Sequence, residues 1–87
     1  MTTSSYNNHF IPVNISEGIF SSEYSISLQL ADGNTVSFFA DKELLIQVEN
    51  QWKLKVSLVS QNDNTELVLL PVEPFETASR WAEVMAA

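Results

Sequence analysis

Residues 28–39, LQLADGNTVSFF, decide the fold, because two alternating apolar segments meet there at a tight-turn signal. Asp32-Gly33 is a dipeptide that often forms the two-residue loop of a β-hairpin. Such a loop would set Leu30 opposite Thr35 and would place the apolar side chains of the two strands on different faces of the sheet. A shift of one residue brings both sets to one face. The sequence therefore predicts a hairpin without a plain two-residue loop.

Two arrangements reconcile this turn with the apolar pattern. A three-residue loop at Asp32-Gly33-Asn34 pairs Leu28 with Phe38, and both Gly33 and Asn34 tolerate the left-handed backbone that such loops need. A β-bulge in the second strand, at Phe38 and its successor, reconciles a two-residue loop equally well. The sequence leaves both arrangements open.

Alternation of apolar and polar residues predicts further strands on both sides of this hairpin. Pro12 has no backbone donor, so the first segment suits an edge strand or a strand start. The expected inward-pointing sets, in chain order, are Ile11, Val13 and Ile15; Tyr24, Ile26, Leu28 and Leu30; Val36 and Phe38; Leu44, Ile46 and Val48; and Trp52, Leu54, Val56 and Leu58.

Two more turns follow from matching apolar residues across strands. A three-residue loop at 49–51 sets the apolar residues of its two strands opposite each other. A tight turn at 62–63 sets Leu58 opposite Leu67. The strand that follows, 65–72, is apolar on both faces, which predicts that it is covered on both sides.

The period of the apolar residues changes in ETASRWAEVMAA, residues 76–87. Four of them recur at i, i+3, i+4 and i+7, the spacing of one helix face. They are Ala78, Trp81, Ala82 and Met85. We therefore expect a short C-terminal α-helix over 76–86 that docks on the sheet through Trp81, since so short a helix needs packing to be stable.

Together these patterns predict a mostly β fold, either a small meander sheet or a small barrel of five to six antiparallel strands with the C-terminal helix. Residues 1–8 are polar and without periodicity, and are expected to form a flexible tail ahead of a single domain over 9–87. The strand and turn layout resembles that of Src-homology-type small barrels in architecture, with no shared sequence motif behind it. Fold alone implies no function.

Charge and composition narrow the classes of partner. Eleven acidic and four basic residues give a formal net charge of −7, which repels phosphate backbones and anionic membrane surfaces. No apolar run is long enough to span a bilayer, and the sequence contains no cysteine that could form a disulfide. We expect an acidic cytoplasmic protein that binds neither nucleic acid nor membrane.

Residues that could perform chemistry are few. Nucleophilic catalysis needs a nucleophile beside a base that a third group orients, and the one histidine, His9, lies outside any such motif. Acidic pairs such as Asp41 and Glu43 are typical of solvated loops rather than of acid–base catalysis, which needs one buried member. Gly18 and Gly33 are too few for a phosphate-binding loop. The prediction is that the protein is not an enzyme and uses no metal or cofactor.

The expected function is a protein–protein interaction module or accessory subunit, acting through a protein partner or through self-association as a homodimer. Phe39, Val59 and Val68 point away from the predicted apolar faces of their strands and form the candidate partner surface. Cover by the C-terminal helix or closure of a barrel would bury them instead. The alternative function is an acidic decoy or inhibitor of a basic or nucleic-acid-binding partner, suggested by the charge of −7.

Overall fold

The computed structural model describes residues 9–17 and 22–86, within which seven antiparallel strands form one sheet curled into a half-barrel. The predicted mostly β fold is confirmed, but the expected count of five to six strands is too low, because the C-terminal segment forms a seventh strand instead of a helix. The expected tail at 1–8 lies outside the described residues. The sheet order is β3-β2-β1-β5-β6-β7, with β4 also paired to β5. The strands are β1 (His9–Glu17), β2 (Glu23–Gln29), β3 (Thr35–Asp41), β4 (Leu45–Val48), β5 (Gln51–Gln61), β6 (Thr65–Leu69) and β7 (Trp81–Met85), with a 3-10 turn at Lys42–Leu44 between β3 and β4.

β1 and β5 hold the sheet together, because each of them pairs with different strands along its length. The first part of β1 pairs with β5, and the part from Asn14 onward pairs with β2. The first part of β5 pairs with β4, and the part from Ser57 onward pairs with β6. The expectation of an edge strand at Pro12 is therefore wrong, because β1 lies inside the sheet order. Pro12 lies opposite Lys53, ahead of the residues that pair with β2, so its missing N–H interrupts no recorded β1–β2 pair.

The concave side of the sheet holds a single apolar core. Phe38, Ile26 and Leu54 are among its most completely enclosed side chains, and each such burial contributes about 1.5–3 kcal/mol to folding. The inward sets expected in β1, β2, β3 and β5 are confirmed. The core consists of Ile11, Val13, Ile26, Leu28, Val36, Phe38, Ala40, Leu45, Leu54, Val56, Val68, Leu70, Ala82 and Val84.

A three-residue loop, Ala31-Asp32-Gly33, connects β2 and β3, so the plain two-residue hairpin is absent, as predicted, and the loop lies one residue earlier than the expected Asp32-Gly33-Asn34. Leu30 N–H donates to the Asn34 carbonyl at 2.7 Å, and Gly33 N–H donates to the Leu30 carbonyl at 3.0 Å. Gly33 takes the left-handed position with a φ of 93°. Leu28 pairs with Val36 rather than with Phe38, so the expected partners are wrong by two residues. A shift of two keeps every side chain on its face, and the shared apolar face is therefore confirmed.

The connection between β4 and β5 differs from the expected three-residue loop. Glu49 and Asn50 both have positive φ, 52° and 69°, which is the geometry of a two-residue type I′ turn. The resulting register sets Leu45 opposite Leu54 on the concave side. Ile46 and Val48 therefore point outward, and their exposed fractions are 40% and 44%. The expectation that these two side chains are buried is wrong by a shift of one residue.

A β-bulge at Val59 changes the register between β5 and β6. The bulge adds one residue to β5, so Leu58 pairs with Val68 instead of Leu67. The connecting turn also lies one residue later than the expected 62–63. As a result Val68 points into the core and Leu67 points outward, which reverses the faces predicted for this strand.

The predicted C-terminal helix over 76–86 is wrong, because its second half is strand β7 paired with β6. Ala82 and Val84 point into the core, while Trp81 and Met85 are 56% and 57% exposed. The apolar spacing of this segment satisfies both a helix stripe and two strand faces. Pairing as a strand satisfies the backbone groups on the second edge of β6, which a helix cannot do.

A strap, residues 71–79, crosses from β6 to β3 before the chain returns as β7. Its Phe75 N–H donates to the Ser37 carbonyl at 2.9 Å. In return Ser37 donates its N–H, at 2.7 Å, and its hydroxyl to the Glu76 carboxylate. At Ser37 the strap thus forms the hydrogen bonds that one residue of a neighbouring strand would form on the outer edge of β3. These hydrogen bonds hold the pKa of the Glu76 carboxyl below its ordinary value of 4.5.

One direct hydrogen bond also links the two ends of the sheet order. Ala31 N–H, in the β2–β3 loop, donates to the Glu83 carbonyl of β7 at 2.8 Å. The strap and this bond bring β3 and β7 together although no ladder pairs them among the described residues. Point contacts, rather than a continuous ladder, therefore close the curl.

The β4–β5 turn predicts a stabilising double substitution. Glu49→Asn combined with Asn50→Gly should raise the free energy of unfolding by about 0.5–1 kcal/mol, because Asn-Gly relieves the positive-φ penalty at both positions. Urea unfolding followed by circular dichroism measures the change. The control Glu49→Gln removes the same charge and keeps the backbone strain, so it should leave the stability unchanged. A double variant no more stable than this control would show that the turn is not of type I′.

The strap predicts a pH-dependent contribution from Glu76. A carboxyl whose pKa is lower in the folded than in the unfolded protein stabilises the fold above the ordinary value of 4.5 and loses that contribution as the pH falls through the lowered value. Glu76→Gln should therefore be less stable than the wild type near pH 7, and the difference should shrink at the acid end of a urea series. Glu73→Gln, in the same strap, removes the same charge and leaves the hydrogen bonds between Ser37 and Glu76 in place, and is the charge-matched control.

Candidate functional site on the outer face of the sheet

The convex side of β5, β6 and β7 carries adjoining apolar side chains, here called the hairpin patch. Strand alternation produces it, because the residues between its members point into the core. Trp81 and Met85 are its most exposed members, each with more than half of its surface accessible. The hairpin patch consists of Val59, Leu67, Leu69, Trp81 and Met85.

Cross-strand pairing makes the hairpin patch contiguous. Leu69 lies directly opposite Trp81, and Leu67 lies opposite Glu83. Directly opposed residues have Cβ atoms about 4.5–5.5 Å apart, so these side chains are neighbours on the surface. Glu83 lies within the patch, between Trp81 and Met85 on the same face of β7, and its carboxylate accepts a 3.0 Å hydrogen bond from the Thr65 hydroxyl. The patch is thus an apolar surface on paired strands with one fixed acid.

A second group of outward residues adjoins the patch along β5, and we call it the lysine section. Lys53 lies between Pro12 of β1 and Ile46 of β4, and Lys55 lies opposite Phe10 of β1. Apolar and basic side chains alternate in this section, whereas the chain as a whole carries a net negative charge. The lysine section consists of Phe10, Pro12, Ile46, Val48, Lys53 and Lys55.

The structure separates the three residues predicted to form a partner surface. Val59 is 44% exposed and belongs to the hairpin patch. Phe39 lies on β3, where its half-buried ring packs edge-to-face against Phe75 of the strap at 5.6 Å. Val68 is fully buried in the core, so the expectation that it points outward is wrong. The bulge beside Val59 is the physical reason, since it turns Val68 inward.

The sequence interpretation missed most of the hairpin patch. Trp81 and Met85 were assigned to the buried stripe of a helix, and Leu67 to an inward strand position. The signal that could have found them is the alternation in residues 81–85, WAEVM, where small apolar residues occupy every second position. The other tryptophan, Trp52, is half-buried against the core, as expected.

A buried polar cluster connects β1, β5 and β6. Glu66 is only 6% exposed, and one of its carboxylate oxygens lies 2.7 Å from His9 Nε2. Its other oxygen accepts a hydrogen bond from the Gln61 side-chain amide at 3.1 Å. Both oxygens are therefore satisfied within the protein, which is typical of a buried carboxylate that joins structural elements. Within 9–17 and 22–86 no three His, Asp or Glu side chains are grouped to hold a metal ion.

A groove of about 380 Å³ opens where β1 and β2 separate. The recorded pairs of these strands end at Asn14 and Ser27, and the same register would set Pro12 opposite Gln29. Pro12 has no N–H to donate there, which explains why the ladder ends. Apolar side chains and neutral amides form the walls, and none of the lining residues is charged. The lining of the groove therefore contains no carboxylate, imidazole or ammonium group for acid–base catalysis.

In the part of the chain that the structure describes, no helix is long and apolar enough to cross a membrane. Comparison of the chain with protein-family models, with curated proteins and with solved structures finds no match in any of the three. The hypotheses about function therefore depend on the residues of this chain.

The polar cluster predicts a stability effect. His9→Ala leaves the buried Glu66 carboxylate without one of its two partners, and should lower the free energy of unfolding by about 1–3 kcal/mol. Denaturant titration measures the loss. In the double variant with Glu66→Leu, which removes the carboxylate as well, part of the stability should return, since no buried carboxylate then lacks a partner and the exposed Gln61 amide can bond to water. A loss that stays the same in the double variant would contradict the assignment.

Proposed function

We propose that this protein is a protein–protein interaction module or accessory subunit that docks a protein partner on the hairpin patch. The observation that carries the proposal is the exposure of Trp81 and Met85 on one face of β7, with the half-buried Leu69 directly opposite Trp81. Glu83 is the one acid between Trp81 and Met85 on that face. Small proteins rarely expose adjoining large apolar side chains unless a partner covers them. These side chains cannot point into the core instead, because their neighbours along the strands already occupy it.

Trp81 is the expected energetic centre of the interface. Tryptophan contributes a large apolar area with few rotatable bonds, and truncation of such residues at interfaces commonly costs about 2 kcal/mol or more of binding free energy. Trp81 stands on a strand paired along its length with β6, so its position is fixed before binding. A preordered surface loses little conformational entropy when a partner docks.

The net charge supports a protein as the partner. A charge of −7 opposes binding to nucleic acid and to anionic membranes. The acidic-decoy alternative needs a face dominated by carboxylates. The outer face has Lys53 and Lys55 near its middle and Glu83 at one side, which favours the interaction module over the decoy.

The test is a quantitative co-purification from the native host with three forms of the full chain. The wild type should retain a partner at constant stoichiometry, Trp81→Ser should lose it, and Phe75→Ser should keep it. Phe75 is the matched control, because it is an even more exposed aromatic residue, at 70%, but lies on the strap outside the hairpin patch. Circular dichroism melting of each variant confirms that the fold is retained.

The captured protein is then purified and titrated against the same three forms. A dissociation constant that rises at least tenfold for Trp81→Ser and less than twofold for Phe75→Ser is the expected outcome, since tenfold corresponds to about 1.4 kcal/mol. A partner that binds Trp81→Ser as well as the wild type would refute docking on this patch.

A further inference from the structure

We propose that the partner presents a segment combining apolar side chains with carboxylates, and that the carboxylates contact Lys53 and Lys55. This inference rests on the proposed docking function and adds the chemistry of the partner. The apolar part of the segment covers the hairpin patch, and its acidic part reaches the adjoining lysine section.

The distribution of basic residues is the first argument. The sequence contains Lys42, Lys53, Lys55 and Arg80 as its basic residues. Lys53 and Lys55 share the outward face of β5. Arg80 lies opposite the buried Leu70, on the other face from Trp81, and its Nε donates to the Leu70 carbonyl at 2.7 Å. Lys42 differs as well, because its ammonium lies over the Tyr24 ring at 4.7 Å to the centroid. Two of the four basic residues of an acidic protein are thus placed together on the outer face.

The surroundings of the two lysines are the second argument. Their direct cross-strand neighbours are Phe10, Pro12 and Ile46, all of them apolar. Among the described residues neither lysine forms an ion pair, although the chain has eleven acids. Two ammonium groups kept apart from carboxylates and bordered by apolar side chains leave their charges for a carboxylate from outside.

The spacing between the lysines and the hairpin patch is the third argument. Lys55 lies two residues from Ser57 on the same face of β5, and Ser57 pairs with Leu69. Lys55 and Leu69 are therefore diagonal neighbours, which places them about 7–8 Å apart. One short partner segment can contact the patch and a lysine together. The aliphatic stems of lysines also add apolar contact while their heads stay solvated.

A second copy of this chain fits the surface less well. A second copy would bring eleven acids distributed along its whole chain, whereas a separate partner can confine its carboxylates to the segment that meets the two lysines. Carboxylates on such a partner would meet the local positive charge of Lys53 and Lys55, which speeds association and fixes orientation. The observations therefore favour a separate acidic and apolar segment over a homodimer.

The test selects phage-displayed random 12-residue peptides on the full wild-type chain. Enriched peptides should contain aromatic or leucine residues together with aspartate or glutamate. One enriched peptide is then synthesised. It should bind the double variant Lys53→Gln, Lys55→Gln about 3- to 10-fold more weakly than the wild type. At high salt the difference in affinity between the wild type and the double variant should be smaller. Lys42→Gln removes one positive charge outside the lysine section, serves as the control for each of the single variants Lys53→Gln and Lys55→Gln, and should change binding less than twofold. Replacing the peptide's acids by amides should weaken binding to the wild type by a similar factor.

The outcomes separate this inference from the proposed function. Peptides that need Trp81 but are basic or neutral, or that bind the double lysine variant unchanged, would overturn the acidic chemistry and leave the docking function standing. Failure to enrich any peptide that depends on Trp81 would count against both. A concentration-dependent dimer in sedimentation that Trp81→Ser abolishes would overturn the inference in favour of a second copy.

Discussion

The alternation of side chains in β6 and β7 is the constraint on which the rest of the account depends. Burial of Val68 and Val84 in the core directs every second residue of the two strands to the outside. At those outward positions the sequence places four apolar residues, Leu67, Leu69, Trp81 and Met85, and two polar ones, Thr65 and Glu83. The core buries only one face of these two strands. The apolar side chains on the other face stay in contact with water unless another molecule covers them. Folding of this chain therefore produces the surface that we assign to a partner.

The two ends of the sheet order are treated in different ways. At β3 the strap supplies Phe75 N–H and the Glu76 carboxylate to Ser37, and so occupies the edge where another strand could pair. Exposed edges invite edge-to-edge association, and covering them is a common protection. At β7 the Glu83 carbonyl accepts from Ala31, which holds the hairpin in place. Both contacts fix the curl of the sheet and leave the outer face of the hairpin exposed.

Alternation predicted the strands and the inward faces of β1, β2, β3 and β5, because burial of one face is a local property of the sequence. Register was less predictable, since it depends on backbone geometry. A positive φ at Glu49 and the bulge at Val59 each reverse faces, and no apolar pattern encodes them. Alternation along β5 predicts that Val59 points outward, and the structure agrees. The bulge reverses the faces of β6, so the outward position predicted for Val68 is wrong. The C-terminal strand was missed because Trp81 and its neighbours also fit a helix stripe, and only the open edge of β6 decides between the two.

The exposure of Trp81 tests the central claim most directly. A Trp52→Phe variant leaves Trp81 as the single fluorescent tryptophan. The account predicts red-shifted emission, efficient quenching by acrylamide, and protection from quenching when a binding peptide or partner is added. Blue-shifted emission that acrylamide cannot quench in the protein alone would mean that Trp81 is buried, and would contradict both the strand assignment and the outer-face site.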